Sequence, residues 1–158
     1  GRHDLNLKEN SIKKTINYAI AGVQQIANKK DVRIINDNLV DFRFSYDEDR
    51  IVQVLTNLLS NALKFVEPKK GKIIIEYKMI NNKVEVYVID NGKGIPDEDF
   101  DYIFDKFYQS KNQNTLKPQG SGLGLAICKQ IINNHKGKIW AKKSNKNGAT
   151  FGFMLPFK

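Results

Sequence analysis

Hydrophobic positions recur at helical spacing near the start of the chain. Apolar residues three or four positions apart run from Ile12 to Ile26, with polar residues between them. Asn10 or Ser11 can cap this stretch, because such side chains accept a hydrogen bond from the first N–H groups of a helix. The pattern predicts a helix that ends at about Lys30.

A second amphipathic stretch predicts a helix over residues 47–66. At about 100° per residue its apolar side chains form one continuous arc, and only Val54 falls on the polar side. That polar side places Asn57, Asn61 and Lys64 on one face, one turn apart. A solvated surface is the ordinary explanation for such a face, whereas two carboxamides and an ammonium also suit a magnesium–phosphate group.

The rest of the hydrophobic pattern predicts short strands and two further helical segments. Asn81 and Asn82 are turn residues between two alternating runs and therefore predict a hairpin. This combination predicts an α/β (α+β) two-layer sandwich, in which about three helices cover one face of a mixed, mostly antiparallel sheet. The predicted strands lie within residues 33–44 (with a turn near 37–38), 72–79, 83–90, 138–143 and 149–155, and the helical segments at 97–107 and 120–133.

Two glycine-rich turns are candidates for binding chemistry. Asp90 ends a strand and begins Asp-x-Gly-x-Gly, where a carboxylate can accept a hydrogen bond from an exocyclic amine. An ordinary turn has the same composition. Residues 120–124 read Gly-Ser-Gly-Leu-Gly at a predicted helix start, which suits an anion. Helix-capping glycines are the alternative for that segment, and the spacing fits neither a dinucleotide fingerprint nor a Walker motif.

Composition narrows the class of protein. The chain has 158 residues, 41% of them hydrophobic, which suits one domain with a real core. The lone Cys128 excludes an internal disulfide and fits a reducing compartment, so we expect a cytoplasmic protein. The net charge is +9, and the segment after Asp105 carries ten lysines and no acid. A nucleic-acid surface, a phosphate-handling region and plain compositional bias remain open as explanations.

Taken in order, these motifs resemble a known family. The helix with Asn57 and Asn61, the turn at Asp90, a Phe-rich segment at 103–108 and the glycines at 120–124 resemble the N, G1, F and G2 boxes of sensor histidine kinases. The similarity is to their catalytic (ATP-binding) domain, in the gyrase, histidine kinase and MutL superfamily. It covers roughly residues 5–157 and implies a Bergerat fold.

The resemblance implies roles for individual residues, with ATP and Mg²⁺ as cofactors. Asp90 is expected to bind the adenine amine and Asn61 to bind Mg²⁺. Asn57, Asn61 and Lys64 form the expected catalytic group at the phosphates, and Phe65 lines the nucleotide site. Further nucleotide contacts are implied for Gly92, Gly94, Ile95, Lys106, Phe107, Tyr108, Gly120, Ser121, Gly122, Leu123, Gly124, Leu125 and Thr150, and residues 108–119 are the expected ATP lid.

One position bears on the reaction. Gyrase and MutL relatives carry a glutamate where this chain has Asn57, which cannot act as a base for water. The resemblance therefore implies transfer of the γ-phosphate to a histidine on a dimerisation domain of the same kinase, with a response regulator as an indirect partner. We expect no nucleic-acid partner and no membrane contact by this domain. A serine kinase of the anti-sigma type and a non-transferring nucleotide-binding module are the alternatives.

Two features depart from the simplest version of this resemblance. Gln109 stands where many family members have an arginine, so Lys106 or Lys111 would have to supply its charge. His3 precedes Asp4, as in a phosphoacceptor pair, but too few residues separate it from Asn57 for the expected helical hairpin. We therefore assign residues 11–158 to the ATP-binding domain. Residues 1–10 are expected to be the end of a preceding dimerisation region or a cloning remnant, and the parent protein can be membrane-anchored.

Overall fold

The computed structural model describes residues 4–38, 40–105, 124–144 and 147–158. Two layers are present, with helices packed on one face of a five-stranded sheet. In chain order the elements are β1 (Lys8–Ser11), α1 (Ile12–Lys30), β2 (Arg33–Ile35), β3 (Arg43–Tyr46), α2 (Glu48–Phe65), β4 (Lys72–Ile80), β5 (Lys83–Asp90), a 3₁₀ turn (Asp97–Asp99), α3 (Gly124–Asn134), β6 (Lys138–Lys143) and β7 (Ala149–Pro156).

The main sheet has the strand order β2-β4-β5-β7-β6. Its β2–β4 pair is parallel, and the other three pairs are antiparallel. β1 and β3 form a separate two-stranded antiparallel sheet. The predicted two-layer sandwich with a mixed, mostly antiparallel sheet is confirmed.

Side-chain caps set the starts of the first two helices. The Ser11 hydroxyl accepts a hydrogen bond from Lys14 N at 3.2 Å and begins α1, as the sequence predicts. Asp47 does the same for α2 through Arg50 N, at 3.2 Å. The Lys30 ammonium at the end of α1 donates to Leu63 O at 2.5 Å, which places a positive charge at the carbonyl end of α2.

Val54 lies on the polar side of α2 in the sequence pattern, yet it is completely buried. The reason is a third helix: α3 packs across this side, and the Cys128 thiol lies 3.7 Å from Val54 O. Burial raises the pKa of the Cys128 thiol to about 12. This thiol is therefore protonated and packs as a small core residue.

Two elements differ from the predictions. β1 was not predicted, because its sequence Lys-Glu-Asn-Ser is polar and its strand conformation depends on pairing with β3. Of the helical segment expected at 97–107, the structure describes residues 97–105, which form the 3₁₀ turn Asp97–Asp99 and further turns to Asp105. Ile103 and Phe104 pack against the core. These two neighbouring residues do not form the apolar stripe that a longer amphipathic helix needs.

None of the helices in the described ranges is both long and apolar enough to cross a membrane.

Candidate functional site

Asp90 is the buried acid at the end of β5, on the face of the sheet that the helices cover. Its Oδ1 accepts hydrogen bonds from Gly92 N at 2.9 Å and Ala149 N at 3.3 Å. Burial raises the pKa of the Asp90 carboxyl, and the two backbone hydrogen bonds partly oppose that shift. The two bonds fix the orientation of the carboxylate and both use the same oxygen, so Oδ2 is directed elsewhere.

Close backbone contacts hold the turn after Asp90 in place. A Cβ on Gly92 would lie 2.6 Å from Phe65 O at the end of α2. A Cβ on Gly148 would lie only 2.1 Å from Asp90 O, and its φ of +105° also favours glycine. Gly94, with φ +80°, lies against Gly148 in turn. Glycine is therefore required where the turn passes between α2 and the start of β7.

The polar face of α2 continues from this turn toward α3. Asn57 Nδ2 donates to Gly124 O at 3.3 Å, which joins the middle of α2 to the first residue of α3. Asn61 follows one turn later and is half-buried, and Lys64 is exposed. Partial desolvation lowers the pKa of the Lys64 ammonium from its ordinary value.

The α2 face therefore spans the two glycine-rich regions. Phe65 contacts the turn at Gly92, and Asn57 contacts Gly124. Eight residues of helix separate these contacts, or about 12 Å. A carboxylate acceptor thus lies near one end of the polar face, and carboxamides and an ammonium lie along it.

Three other predicted site residues are described by the structure. Ile95 and Leu125 are half-buried and pack against the core. Thr150 pairs with Ile89, on the sheet face opposite Asp90, and its hydroxyl lies 2.8 Å from the Ser144 hydroxyl. The structure thus brings Asp90, Gly92, Gly94 and Phe65 together, and Asn57 with Gly124, but does not bring Thr150 to the Asp90 side.

Several predictions lie outside the described residues. They concern the nucleotide contacts at Lys106, Phe107, Tyr108, Gly120, Ser121, Gly122 and Leu123, the lid at 108–119, and Gln109 with its substitute Lys111.

Sequence reasoning missed the contribution of the β7 start. Gly148 and Ala149 are backbone partners of Asp90, although neither was predicted as a site residue. A glycine directly before the closing strand was the available signal.

His135 has a structural environment. Asp47 N donates to its Nε2 at 3.1 Å, so its Nδ1–H donates to Ile131 O at 2.9 Å.

Comparison with known proteins decides the family. Residues 46–158 match the family of histidine kinase-, DNA gyrase B-, and HSP90-like ATPases. The nucleotide-free catalytic domain of the histidine kinase ThkA superposes with a TM-score of 0.82 at 34% identity, over 97% of both chains. The chain belongs to the histidine kinase catalytic domains. The full-length kinase ShkA, solved with AMPPNP, superposes with a TM-score of 0.84 at 26% identity, over 98% of this chain and 32% of that one.

Curated relatives of this histidine kinase domain are longer proteins. The sensor histidine kinase WalK of Bacillus subtilis is 39% identical over 120 residues, which is 75% of this chain and 20% of WalK. The sensor protein kinase WalK of Staphylococcus aureus is 36% identical over 129 residues, 80% of this chain and 31% of that protein. The chain thus spans about a fifth to a third of the length of these relatives.

Proposed function

We propose that this domain binds Mg-ATP along the polar face of α2 and donates the γ-phosphate to a histidine on the dimerisation domain of the same kinase. The observation that carries the proposal is the junction of three elements. The turn after the fixed Asp90 carboxylate contacts the end of α2 at Phe65, and Asn57 on the same helix contacts the start of α3.

The proposed orientation places adenine at Asp90 and the phosphates toward Asn57. An ionised carboxylate accepts a hydrogen bond from the adenine amine but offers no donor to the carbonyl of guanine. The glycines at 92 and 94 let this turn pack against Phe65 O and Gly148, and the base is proposed to lie beside the turn so formed. Asn57 and the start of α3 lie at the other end. Lys64 is in the last turn of α2, nearer Asp90, and its long side chain is the proposed source of positive charge for the phosphates.

Asn61 is the proposed protein ligand for Mg²⁺. Its side-chain oxygen is a hard ligand on the half-buried face of α2. The described residues contain no group of three or more His, Cys, Asp or Glu that could hold a metal ion. A single protein ligand fits Mg²⁺, which commonly takes its remaining ligands from phosphates and water and would neutralise phosphate charge here.

Asn57 favours transfer over hydrolysis. Its amide donates to Gly124 O and has no basic atom that could activate water. We propose that the nucleophile comes from outside the domain, and proximity can supply about 7–11 kcal/mol of barrier reduction when it is held in line. ThkA has been solved in complex with the response regulator protein TrrA. By analogy we propose a response regulator as the later acceptor, with the domain acting in the cytoplasm.

The test is incubation with γ-labelled ATP, with and without the dimerisation domain as a separate polypeptide. The domain alone should bind ATP, measured by calorimetry, and show neither appreciable phosphate release nor self-labelling. Addition of the dimerisation domain should produce acid-labile label, as expected for phosphohistidine.

Each contrary result identifies another activity. Rapid phosphate release by the domain alone would indicate an ATPase. An acid-stable label would indicate a serine kinase. ATP binding without label under both conditions would leave a nucleotide-binding module.

A further inference from the structure

Asn91 is the residue at which the chain leaves β5, directly after Asp90. Its backbone N–H still continues the sheet and donates to Lys72 O at 3.3 Å. In a regular antiparallel pair, the Lys72 N–H would bond in return to the backbone carbonyl of Asn91. It donates instead to the side-chain Oδ1 of Asn91, at 2.8 Å. The side chain thus takes the place of a backbone carbonyl, and the backbone can turn away from the sheet.

The other end of the same carboxamide makes a further bond. Asn91 Nδ2 donates to Lys70 O at 3.1 Å, so three hydrogen bonds tie Asn91 to residues 70–72, where the chain enters β4. The position needs one donor and one acceptor on a short side chain, which asparagine supplies. An ionised aspartate would offer acceptors only.

The segment that Asn91 contacts is held in place by other elements. Within it, Gly71 N donates to Glu67 O at 2.8 Å. Lys69 N donates to Lys30 O at the end of α1, at 3.0 Å. Arg33 N, in β2, donates to Gly71 O at 3.2 Å. Asn91 therefore connects the turn after β5 to a segment that α1 and β2 both fix.

The conformation at Asn91 bears directly on the Asp90 carboxylate. Asn91 lies between Asp90 and Gly92, whose N–H donates to Asp90 Oδ1 at 2.9 Å. The peptide that joins Asn91 to Gly92 sets the direction of this N–H. If the side-chain bonds of Asn91 are lost, that peptide can rotate and withdraw the N–H. Asp90 Oδ1 then keeps only the longer bond from Ala149 N, at 3.3 Å.

We propose that Asn91 is a positioning residue for the Asp90 carboxylate and thereby sets the preference of the domain for adenine over guanine. Because Asp90 meets adenine only in the proposed function, this role of Asn91 rests on that function. A mobile carboxylate must be ordered when the adenine amine binds, which lowers the affinity for ATP. Guanine presents a carbonyl at that position and gains nothing from an ordered acceptor, so GTP affinity is affected less.

The experiment measures the affinities for ATP and GTP by calorimetry in the parent domain, Asn91→Ala and Asn38→Ala. Asn38 is the matched control, because it makes the same two kinds of bond to the middle of β4. Its Oδ1 accepts from Tyr77 N at 3.3 Å, and its Nδ2 donates to Ile75 O at 2.9 Å. Asn91→Ala should reduce the preference for ATP over GTP by about three- to tenfold, and Asn38→Ala by less than about twofold. Urea unfolding checks that both variants fold.

A double-mutant cycle tests whether Asn91 acts through Asp90. In the Asp90→Asn background, the bond to the adenine amine is already weakened, so Asn91→Ala should lower ATP affinity by less than about twofold. A loss of the same size with and without the Asp90 carboxylate would show that Asn91 acts on ATP binding by another route, and it would overturn the positioning role.

Failure of this role and failure of the proposed function give different results. If the parent domain prefers ATP and Asn91→Ala retains that preference, Asn91 does not position Asp90, and the proposed ATP binding stands. An equal loss of preference in Asn38→Ala would also overturn the role, since it would reflect the edge of β4 as a whole. A parent domain that binds no ATP would overturn the proposed function, and the role of Asn91 with it.

Discussion

The two faces of the main sheet show how one strand serves two environments. Along β5, Val84, Val86 and Val88 are buried against the helices, while Tyr87 and Ile89 on the other face are half-buried. The helix-covered series ends at Asp90, where the last side chain of the buried row is a carboxylate. The outer series lies among both lysines and glutamates.

This difference explains why the candidate nucleotide site lies on the helix-covered side. There a strand end, a helix end and a glycine-rich turn meet, which allows backbone groups to fix a charged side chain. Among the described residues, Tyr87 and Ile89 on the outer face lie in the middle and second half of β5 beside neighbouring strands. Burial by helices therefore has two results, a packed core and, at its margin, a carboxylate that backbone N–H groups hold in place.

The largest expected effect concerns stability. Phe153→Ala removes a completely buried side chain from the helix-covered face and should lower the free energy of unfolding by about 3–5 kcal/mol. Tyr87→Ala, on the outer face, should cost about 1–2 kcal/mol, because its ring is only half-buried. Urea unfolding measures both. Equal losses would contradict the assigned difference between the faces.

The next effect concerns adenine recognition. Asp90→Asn retains an oxygen for Gly92 N and Ala149 N, but it loses the charge that strengthens a bond to the adenine amine. ATP affinity should fall by about 1.5–3 kcal/mol, or roughly 10- to 150-fold. Calorimetry measures it, and GTP should bind the parent domain more weakly than ATP does. Parent affinities that are the same for the two nucleotides would remove Asp90 from this role.

Acid should reproduce part of that loss. Burial raises the pKa of Asp90, so the folded protein binds this proton more tightly than the unfolded chain. As pH falls through the raised pKa, the acceptor is protonated and ATP affinity should decline earlier than for an ordinary aspartate.

The same shift has the opposite sign for stability. The contribution of this carboxyl to the free energy of unfolding decreases as pH rises from the unfolded pKa to the folded pKa. Above the folded pKa the contribution is smallest. Comparison of ATP affinity against pH for the parent and Asp90→Asn isolates the effect of Asp90 protonation on ATP binding. Parallel profiles would show that another group titrates.

Loss of the proposed metal ligand should be smaller and dependent on Mg²⁺. Asn61→Ala should weaken ATP binding by about tenfold when Mg²⁺ is present, and have little effect in its absence. Gln53→Ala is the matched control, since it removes a carboxamide from the same side of α2, two turns away. If Gln53→Ala weakens binding as much as Asn61→Ala does, the loss reflects the helix and not the metal.

The smallest expected change in ATP affinity is for a substitution at Thr150, whose side chain lies on the outer face of the sheet. Thr150→Val removes the hydroxyl contact with Ser144 and keeps the shape of the side chain. Because that hydroxyl lies on the outer face, ATP affinity should change by less than about twofold, within the range of a substitution away from a site. A strong loss of affinity would support the nucleotide contact that the family resemblance implied.

Local patterns were sufficient for most of the fold. The caps at Ser11 and Asp47, the apolar arcs of α1 and α2, and the turn at Asn81 and Asn82 depend on neighbours in sequence. Both turn residues have positive φ, which asparagine tolerates better than most residues. The Asp-x-Gly-x-Gly turn indicated Asp90, and helical spacing indicated the polar face from Asn57 to Lys64.

Tertiary contacts decided the remaining features, because they join residues far apart in sequence. β1 is a strand only through its pairing with β3, and Val54 is buried only because α3 crosses α2. Alternation along β7 placed Thr150 away from Asp90, whereas the neighbouring Gly148 and Ala149 contact it through their backbone. Sequence by itself determined which residue types could bind a nucleotide and the local elements that carry them. Strand register and helix packing alone decided which of those residues meet, since a shift of one position turns a strand's side chains to the opposite face.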